Sequence, residues 1–423
     1  MKGQAREETD KILLELENWI KVYRIWPKEC ANPYCILMLT VGLYLIVQSM
    51  VVQAARWSIS DFDEKIVGME NLTFCLSVFL EFIDVNSYKR NTKMLKLIRS
   101  DYIGCQILNF KDGGPRTSVQ PTSSQLQKSK MALADLMTTK ALNNLTTIER
   151  SVLYFYLGFI SVSFINLTLY LINIQTLEDL RLPLILYIPY ISNLTSKVFR
   201  SLTKYLICLI FEVAYIVSTL YWTNTSYKFL LLAFNHVLTE IKLFNIENED
   251  DRGEWKMDQE LRGEVVYNQN QLRQEMRLKL IHHQTIVRGI TFLSEYMQIK
   301  WFYLNGYTTM QLCIAIICLL KGEPIIRVKY VAILLIIIVI TYFYSELGQD
   351  IVDECERMRT NLLYCDWIDK PLWYKKSMVL MMTQNNRLPE ISLFNICTMN
   401  RNNLGVVVQA SYSYFNLLKN FSN

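Results

Sequence analysis

Seven stretches of the chain are apolar over close to twenty residues, the length a helix needs to cross a hydrocarbon core about 30 Å thick. Six are plain: Tyr34 to Gln53, Val67 to Val85, Val152 to Ile172, Tyr205 to Trp222, Tyr303 to Leu320 and Tyr330 to Leu347. The seventh, Asn403 to Phe421, contains GVVVQASYSYFNLL, whose polar side chains are costly against lipid but suit a helix facing water or protein. The pattern predicts an all-α membrane protein with seven transmembrane helices.

Between spans the periodicity often stays helical. Ala233, Val237, Leu238, Ile241 and Leu243 recur at helical spacing, as do Leu272, Met276, Leu280 and Ile281, so the fourth and fifth spans should continue below the membrane. A continuous helix from Leu272 to Leu320 would hold 49 residues and reach roughly 73 Å. Pro371 to Gln384, PLWYKKSMVLMMTQ, reads as a further helix started by its proline, with a Met/Leu face suited to subunit contact or to lying at the membrane surface. KDGGPRTSVQPTSSQLQKSK, Lys111 to Lys130, reads as a flexible loop. The expected division is residues 1–222 for the N-terminal segment and helices 1–4, 223–300 for helical extensions, 301–348 for helices 5–6, 349–400 for an anchor region and 401–423 for the last helix.

Charge sets the expected orientation. The N-terminal segment and the even-numbered connections hold 32 Lys/Arg, and the odd-numbered connections with the C-terminal end hold 8. A cytoplasmic N-terminus and an extracellular C-terminus follow. The first 32 residues, with six basic and six acidic side chains and no leading apolar stretch, do not read as a cleavable signal, so the first span is expected to act as its own insertion signal. Of the Asn-x-Ser/Thr sequons, Asn193 falls in the third connection, where this topology leaves room for a glycan; Asn71, Asn144, Asn166, Asn224 and Asn420 read as chance matches.

The composition agrees with a membrane protein: 51% hydrophobic and 20% charged, against roughly 25% charged in an average soluble protein. A net charge of +5 over 423 residues does not suggest nucleic-acid binding. His236, His282 and His283 have no ligand spacing, and the cysteines form no CxxC pair, so neither a metal site nor a zinc ribbon is expected. No phosphate loop, GxSxG elbow or Cys/His nucleophile pair is present, so neither an enzyme nor a cofactor is expected. Glu81, Asp84 and Glu212 are intramembrane carboxylates, with Arg200 and Lys204 as candidate partners.

The final helix carries the most information. Asn402, Gln409, Ser413, Asn416 and Asn420 share one face, whereas Leu404, Val408, Phe415 and Leu418 fall largely on others. A neutral polar stripe on a terminal span fits a pore wall, and equally fits polar contact between helices of one bundle. Leu417 lies on the striped face, where a ring of leucines would close a path by dewetting.

Here the chain resembles insect odorant receptors. ASYSYFNLLKNF, Ala410 to Phe421, looks like that family's C-terminal signature. Gly348, Tyr364, Trp367, Lys375, Lys376, Met381 and the Leu388-Pro389 pair follow its ordered pattern upstream. The resemblance implies a subunit of a tetrameric ligand-gated channel for monovalent and divalent cations, in the plasma membrane of olfactory sensory dendrites. It implies a tuning subunit assembled with the odorant receptor co-receptor as a heterotetramer, because the fourth connection lacks the co-receptor's long insertion. By the same resemblance the gate falls on Leu417 and Asn420, and Gln409, Ser413 and Asn416 line the pore. The subunit anchor falls on Tyr364, Trp367, Trp373 and Met381.

A small volatile odorant would then bind in the outer half of the bundle, held mainly by burial of apolar surface. Helical phase and depth offer Phe74, Ser77, Val78, Leu157, Ser161, Phe164, Ile165, Thr168, Tyr205, Cys208 and Tyr342. Three other readings compete. A gustatory-type homomeric channel has a different terminal signature. A transporter usually has paired Gly/Pro breaks, which these spans lack. A G-protein-coupled receptor has an extracellular N-terminus and an Asp-Arg-Tyr triplet after its third span, absent here.

Overall fold

The computed structural model describes residues 2–22, 33–56, 62–105, 122–172, 201–260, 269–321, 324–365, 367–386, 391–393 and 397–421. Their helices are α1 (Lys2–Val22), α2 (Pro33–Arg56), α3 (Phe62–Val85), α4 (Tyr88–Arg99), α5 (Thr122–Leu171), α6 (Leu202–Glu260), α7 (Gln269–Lys321), α8 (Pro324–Tyr364), α9 (Leu372–Asn385) and α10 (Arg401–Phe421). One short antiparallel pair, β1 (Ser392–Leu393) and β2 (Cys397–Thr398), precedes α10. The seven apolar runs lie on α2, α3, α5, α6, α7, α8 and α10. Among the described residues, Pro33–Val51, Leu202–Glu249 and Leu272–Leu319 contain stretches long and apolar enough to cross a membrane.

The long helices run past the bilayer as their periodicity requires. α6 has 59 residues and α7 has 53, about 88 and 80 Å at the helical rise. The third span extends too: α5 has 50 residues and begins at Thr122. This corrects the loop expected over 111–130, whose residues 111–121 lie outside the described set. The helical part is held by tertiary contact. Lys130 is fully buried, 3.1 Å from Glu247 Oε2, and donates to the Gly104 carbonyl, which outweighs the loop-like composition of TSSQLQKSK.

The main core gathers side chains near and beyond one end of the spans. Trp19 from α1, Phe82 from α3, Met94 from α4, Phe234 and Phe244 from α6, Leu293 and Trp301 from α7, and Met358 from α8 belong to one buried cluster. Each such side chain contributes about 1.5–3 kcal/mol on burial. The spans instead turn many large apolar residues outward, among them Leu43 and Val47 on α2, Ile210 and Phe211 on α6, and Leu335 and Val339 on α8. Outward apolar surface on a helix of this length is stable against lipid and not against water.

Neither α1 nor α4 was marked by an apolar run. Each is amphipathic: Leu13, Leu16, Trp19 and Ile20 form the buried face of α1, and Asn91, Met94, Leu95 and Ile98 that of α4. α4 descends beside α6. Phe82, just before it, packs on Trp222 with ring centroids 4.4 Å apart, and Ser100, just after it, lies 3.1 Å from His236 Nε2, fourteen residues further along α6.

Candidate functional site

On the first five turns of α6, one face is closed from solvent: Tyr205, Cys208, Leu209, Glu212, Tyr215, Ile216 and Thr219 are all buried. Steps of three and four residues place them along a single stripe. Cys75 and Val78 of α3 are buried as well. Glu212 acts electrostatically on Cys75, Tyr205 and Cys208, and Tyr215 is within electrostatic reach of Cys75 and of Tyr156 on α5. A polar cluster is therefore enclosed in the middle of the bundle.

Of the residues expected to hold a ligand, the structure brings Val78, Tyr205 and Cys208 inside, with Phe74 and Ser77 half-buried beside them. Ser77 donates to the Phe74 carbonyl in its own helix. It turns Leu157, Ser161, Phe164, Ile165 and Thr168 outward on α5, and Tyr342 outward on α8. The helical phase assumed for α5 differs from the observed one, in which Tyr156 faces inward at 7% exposure. Cys75, Glu212 and Tyr215, also buried in this part of the bundle, were not among the residues expected from sequence. The signal for the last two was their three-residue spacing in register with Tyr205, Cys208 and Leu209.

Among the described residues Glu81 and Asp84 pair with Lys300 and Arg90 rather than with Lys204; Arg200, the other partner proposed from sequence, lies outside the described residues. Lys300 of α7 lies 3.0 Å from Glu81 and 3.8 Å from Asp84, and also donates to Ser226 of α6. Arg90 of α4 lies 2.6 Å from Asp84 and sits over the Tyr296 ring, 4.4 Å from its centroid. Tyr303 donates to Glu81 at 2.5 Å. The cluster ties α3, α4, α6 and α7 together where the spans give way to their extensions.

α10 has two distinct faces. Asn403, Val407 and Ser411 are buried: Asn403 donates to Asn305 at 3.1 Å, the Ser411 carbonyl accepts from Cys313, and Val407 packs with Leu312 and Ile337. Asn402, Gln409 and Ser413 are exposed on the other side, and Asn416 is half-buried. Ser413 donates back to the Gln409 carbonyl of its own helix, at 2.9 Å. The side chains of Leu417 and Asn420 lie outside the described residues, as does Asn193. The foot of α10 is fixed by Arg401, which reaches Glu346 with two nitrogens at 2.5 and 2.9 Å. Nearby, a Cβ on Gly348 would lie 1.8 Å from the Met399 carbonyl oxygen, so only glycine lets α8 approach the strand pair this closely.

In the anchor region, α9 starts at Leu372, one residue after the expected start, with Pro371 as N-cap, and runs one residue past Gln384. Tyr374, Met378, Met381 and Asn385 are its buried face. Met381, expected at a subunit contact, is fully buried inside its own chain, where it holds α9 to the main core. Trp367 and Trp373 are partly buried against that core, Trp373 under the Arg273 guanidinium. Tyr364 is 69% exposed, and Leu363, Ile368, Leu372 and Leu380 are turned outward as well.

A second buried polar cluster lies along the extensions. Glu240 accepts from the backbone amides of Ile103 and Gly104, and its Oε2 lies 2.8 Å from His282 Nε2. Burial alone would lower the His282 pKa, but Glu240 and Glu247 hold it above the ordinary histidine value. Burial pushes His283 down to about 4, with the His282 charge adding to it, and burial lowers His236. Glu240 and Glu247 are held below the usual carboxylate range, the bonds and charge of His282 overcoming their desolvation. Among the described residues no group of three or more His, Cys, Asp or Glu is placed to hold a metal ion.

Long helices continuing below a bundle, a terminal helix with an outward polar face and a clamped foot define a helical membrane protein. The family model described as 7tm Odorant receptor matches residues 124–412, and the chain belongs to that family. Two solved structures share its fold. The insect olfactory receptor OR5 from Machilis hrabei aligns with TM-score 0.65 at 12% identity, covering 99% of this chain and 98% of that one. The same receptor in complex with eugenol aligns with TM-score 0.69 at 12% identity, covering 99% of both chains. A search of curated proteins gives no match. The seven-transmembrane helical fold expected from the apolar pattern is that of this family.

Proposed function

We propose that this chain is the odorant-tuning subunit of a ligand-gated, weakly selective cation channel assembled with the odorant receptor co-receptor. The observation that carries the reading is on α10: its buried face already satisfies contacts to α7 and α8, while Gln409 and Ser413 are turned away from the chain's own bundle. A polar face left outward on a spanning helix is unfavourable against lipid and favourable around a water-filled axis shared by several subunits. Uncharged amide and hydroxyl groups there replace part of an ion's hydration without selecting strongly among cations. Leu417 and Asn420, on the same face, form the gate.

The chain binds a small volatile in the outer half of the bundle; that it binds a volatile at all is supported by the eugenol complex of the Machilis hrabei receptor. The excess of Lys/Arg in the N-terminal segment and even-numbered connections puts the N-terminus in the cytoplasm and α10's end outside, in the plasma membrane. The outward Leu363, Tyr364, Ile368, Leu372 and Leu380 form the surface by which α8 and α9 anchor one subunit to the next. Asn193 carries a glycan. Differential affinity of the volatile for the open arrangement supplies the bias toward opening.

Leu417→Ala tests the gate. The expected result is a raised ligand-free current at equal surface expression, because a smaller ring no longer excludes water. An unchanged baseline would contradict the pore assignment.

A further inference from the structure

α4 has five basic and no acidic residues among its 12. Two of the five are used within the chain: Arg90 reaches Asp84, and Arg99 reaches Glu17 at 2.8 Å. Lys89, Lys93 and Lys96 are exposed on the side opposite the buried Asn91, Met94, Leu95 and Ile98, and none of the three forms an ion pair among the described residues. Exposed cations elsewhere on the extensions do find carboxylates, as Lys11 finds Glu7, Lys21 finds Glu17 and Arg357 finds Glu249. On α4, steps of four and three residues put like charge beside like charge, which is destabilising. Lys89 also stands in the opening turn, where no acidic residue offsets it and the helix dipole repels cations. An anion from outside the chain relieves both costs.

We infer that Lys89, Lys93 and Lys96 dock the headgroup of a polyphosphorylated inositol lipid in the cytoplasmic leaflet. This goes beyond the channel reading above but rests on its orientation, with the N-terminus inside. Neighbouring residues set the level of the stripe. α4 begins three residues after α3 ends at Val85, and Arg90 donates to the Tyr296 carbonyl at 3.0 Å. Tyr296 stands three residues, about 4.5 Å, below Ile299, which with Phe302 turns outward from α7 as a lipid-facing residue does. The headgroup layer adds about 5–7 Å on each side of the hydrocarbon core, so Lys89 lies within it. α4 then descends beside α6 and carries Lys93 and Lys96 about 6 and 11 Å deeper. Phosphatidylserine holds its charge in the headgroup plane and meets Lys89 alone. An inositol ring with added phosphates stands out from that plane with more charge, and matches a stripe running away from the membrane. A protein that grips basic amphipathic helices needs their apolar face, and that of α4 is already buried.

The test titrates the full chain in detergent with dioctanoyl phosphatidylinositol 4,5-bisphosphate, dioctanoyl phosphatidylserine and soluble inositol 1,4,5-trisphosphate, and counts bound molecules by native mass spectrometry. The bisphosphate lipid is expected to bind about tenfold tighter or more than phosphatidylserine. Lys89→Gln, Lys93→Gln and Lys96→Gln are each expected to weaken it about fivefold, without lowering the thermal midpoint of the lipid-free protein, since each removes a repulsion. Arginine at all three positions should preserve binding. Lys128→Gln, at an exposed site on α5 about 36 Å before the third span, should leave it unchanged. Binding that survives all three glutamine changes, equal affinity for phosphatidylserine, or equally tight binding of the soluble trisphosphate overturns this assignment and leaves the orientation standing. Orientation is read separately, by antibody access to an N-terminal epitope tag. Labelling of intact, unpermeabilised cells would overturn the cytoplasmic N-terminus, and the cytoplasmic leaflet as the lipid's source with it, whatever binds in detergent.

Discussion

The Lys300 ammonium of α7 lies 3.0 Å from the Glu81 carboxylate of α3, with only 2% of the lysine side chain exposed. Four elements meet at this pair, because Asp84 and Arg90 extend it to α4 and Ser226 to α6. The cluster sits between the enclosed polar stripe of the spans and the packed extensions, where movement in one must be passed to the other.

Removing one partner of a buried pair leaves the other charge uncompensated, at about 3–5 kcal/mol. Lys300→Met is therefore expected to lower the thermal midpoint of the detergent-solubilised protein sharply. A Lys300→Met, Glu81→Met double variant should recover much of the loss, since no stranded charge remains at that contact. A single Lys300→Met variant as stable as the parent would show that the cluster is not structural.

The Arg401–Glu346 pair should behave differently. Its side chains are 55% and 30% exposed, so despite the two-nitrogen geometry its coupling in a double-mutant cycle is expected to be small and to shrink further with added salt. A coupling comparable to that of Lys300 and Glu81 would contradict the exposure argument.

Gly348→Ala places a methyl group inside the van der Waals shell of the Met399 carbonyl. Backbone must shift, and overpacking of this kind costs about 1–3 kcal/mol or more. The expected outcome is loss of stability together with altered gating, because the displaced strand pair leads directly into α10. Normal stability and an unchanged dose-response curve would show that the approach can relax.

The histidines set two limbs of pH dependence. His282 has a raised pKa, so its contribution is fully present below the ordinary histidine value and is lost as pH rises through the raised one. His283, lowered to about 4, and His236, also lowered, contribute above the ordinary histidine value of roughly 6.5, and that contribution falls away as pH drops toward their folded pKa values. Thermal midpoints measured across pH 5 to 9, a range taken around that roughly 6.5 value, should fall on both sides of an optimum. His282→Gln should flatten the alkaline limb and His283→Gln should reduce the acidic one. Unchanged limbs in both variants would place the titration elsewhere.

Much of this architecture was legible in the pattern of apolar residues, because a membrane span must be apolar over a fixed length whatever its partners. The extensions of α6 and α7 were equally visible, since Val237, Ile241, Leu272 and Met276 keep their helical spacing below the bilayer. What escaped was set by partners distant in sequence. Thr122 to Lys130 looks like a loop until Glu247, more than a hundred residues away, pairs with Lys130. Glu81 finds Lys300, 219 residues away, and which distant base it meets is likewise set by packing. The phase of α5 was not legible because an all-round apolar helix does not announce which side faces inward; Tyr156 marks that side only once α6 is packed against it.

The most direct test of the central claim is membrane current from cells expressing this chain alone and together with an insect odorant receptor co-receptor, under a panel of volatiles and G-protein inhibitors. The account predicts a volatile-evoked, weakly selective cation current that requires both chains and is insensitive to the inhibitors. A response abolished by the inhibitors, or none with both chains at the surface, would contradict it.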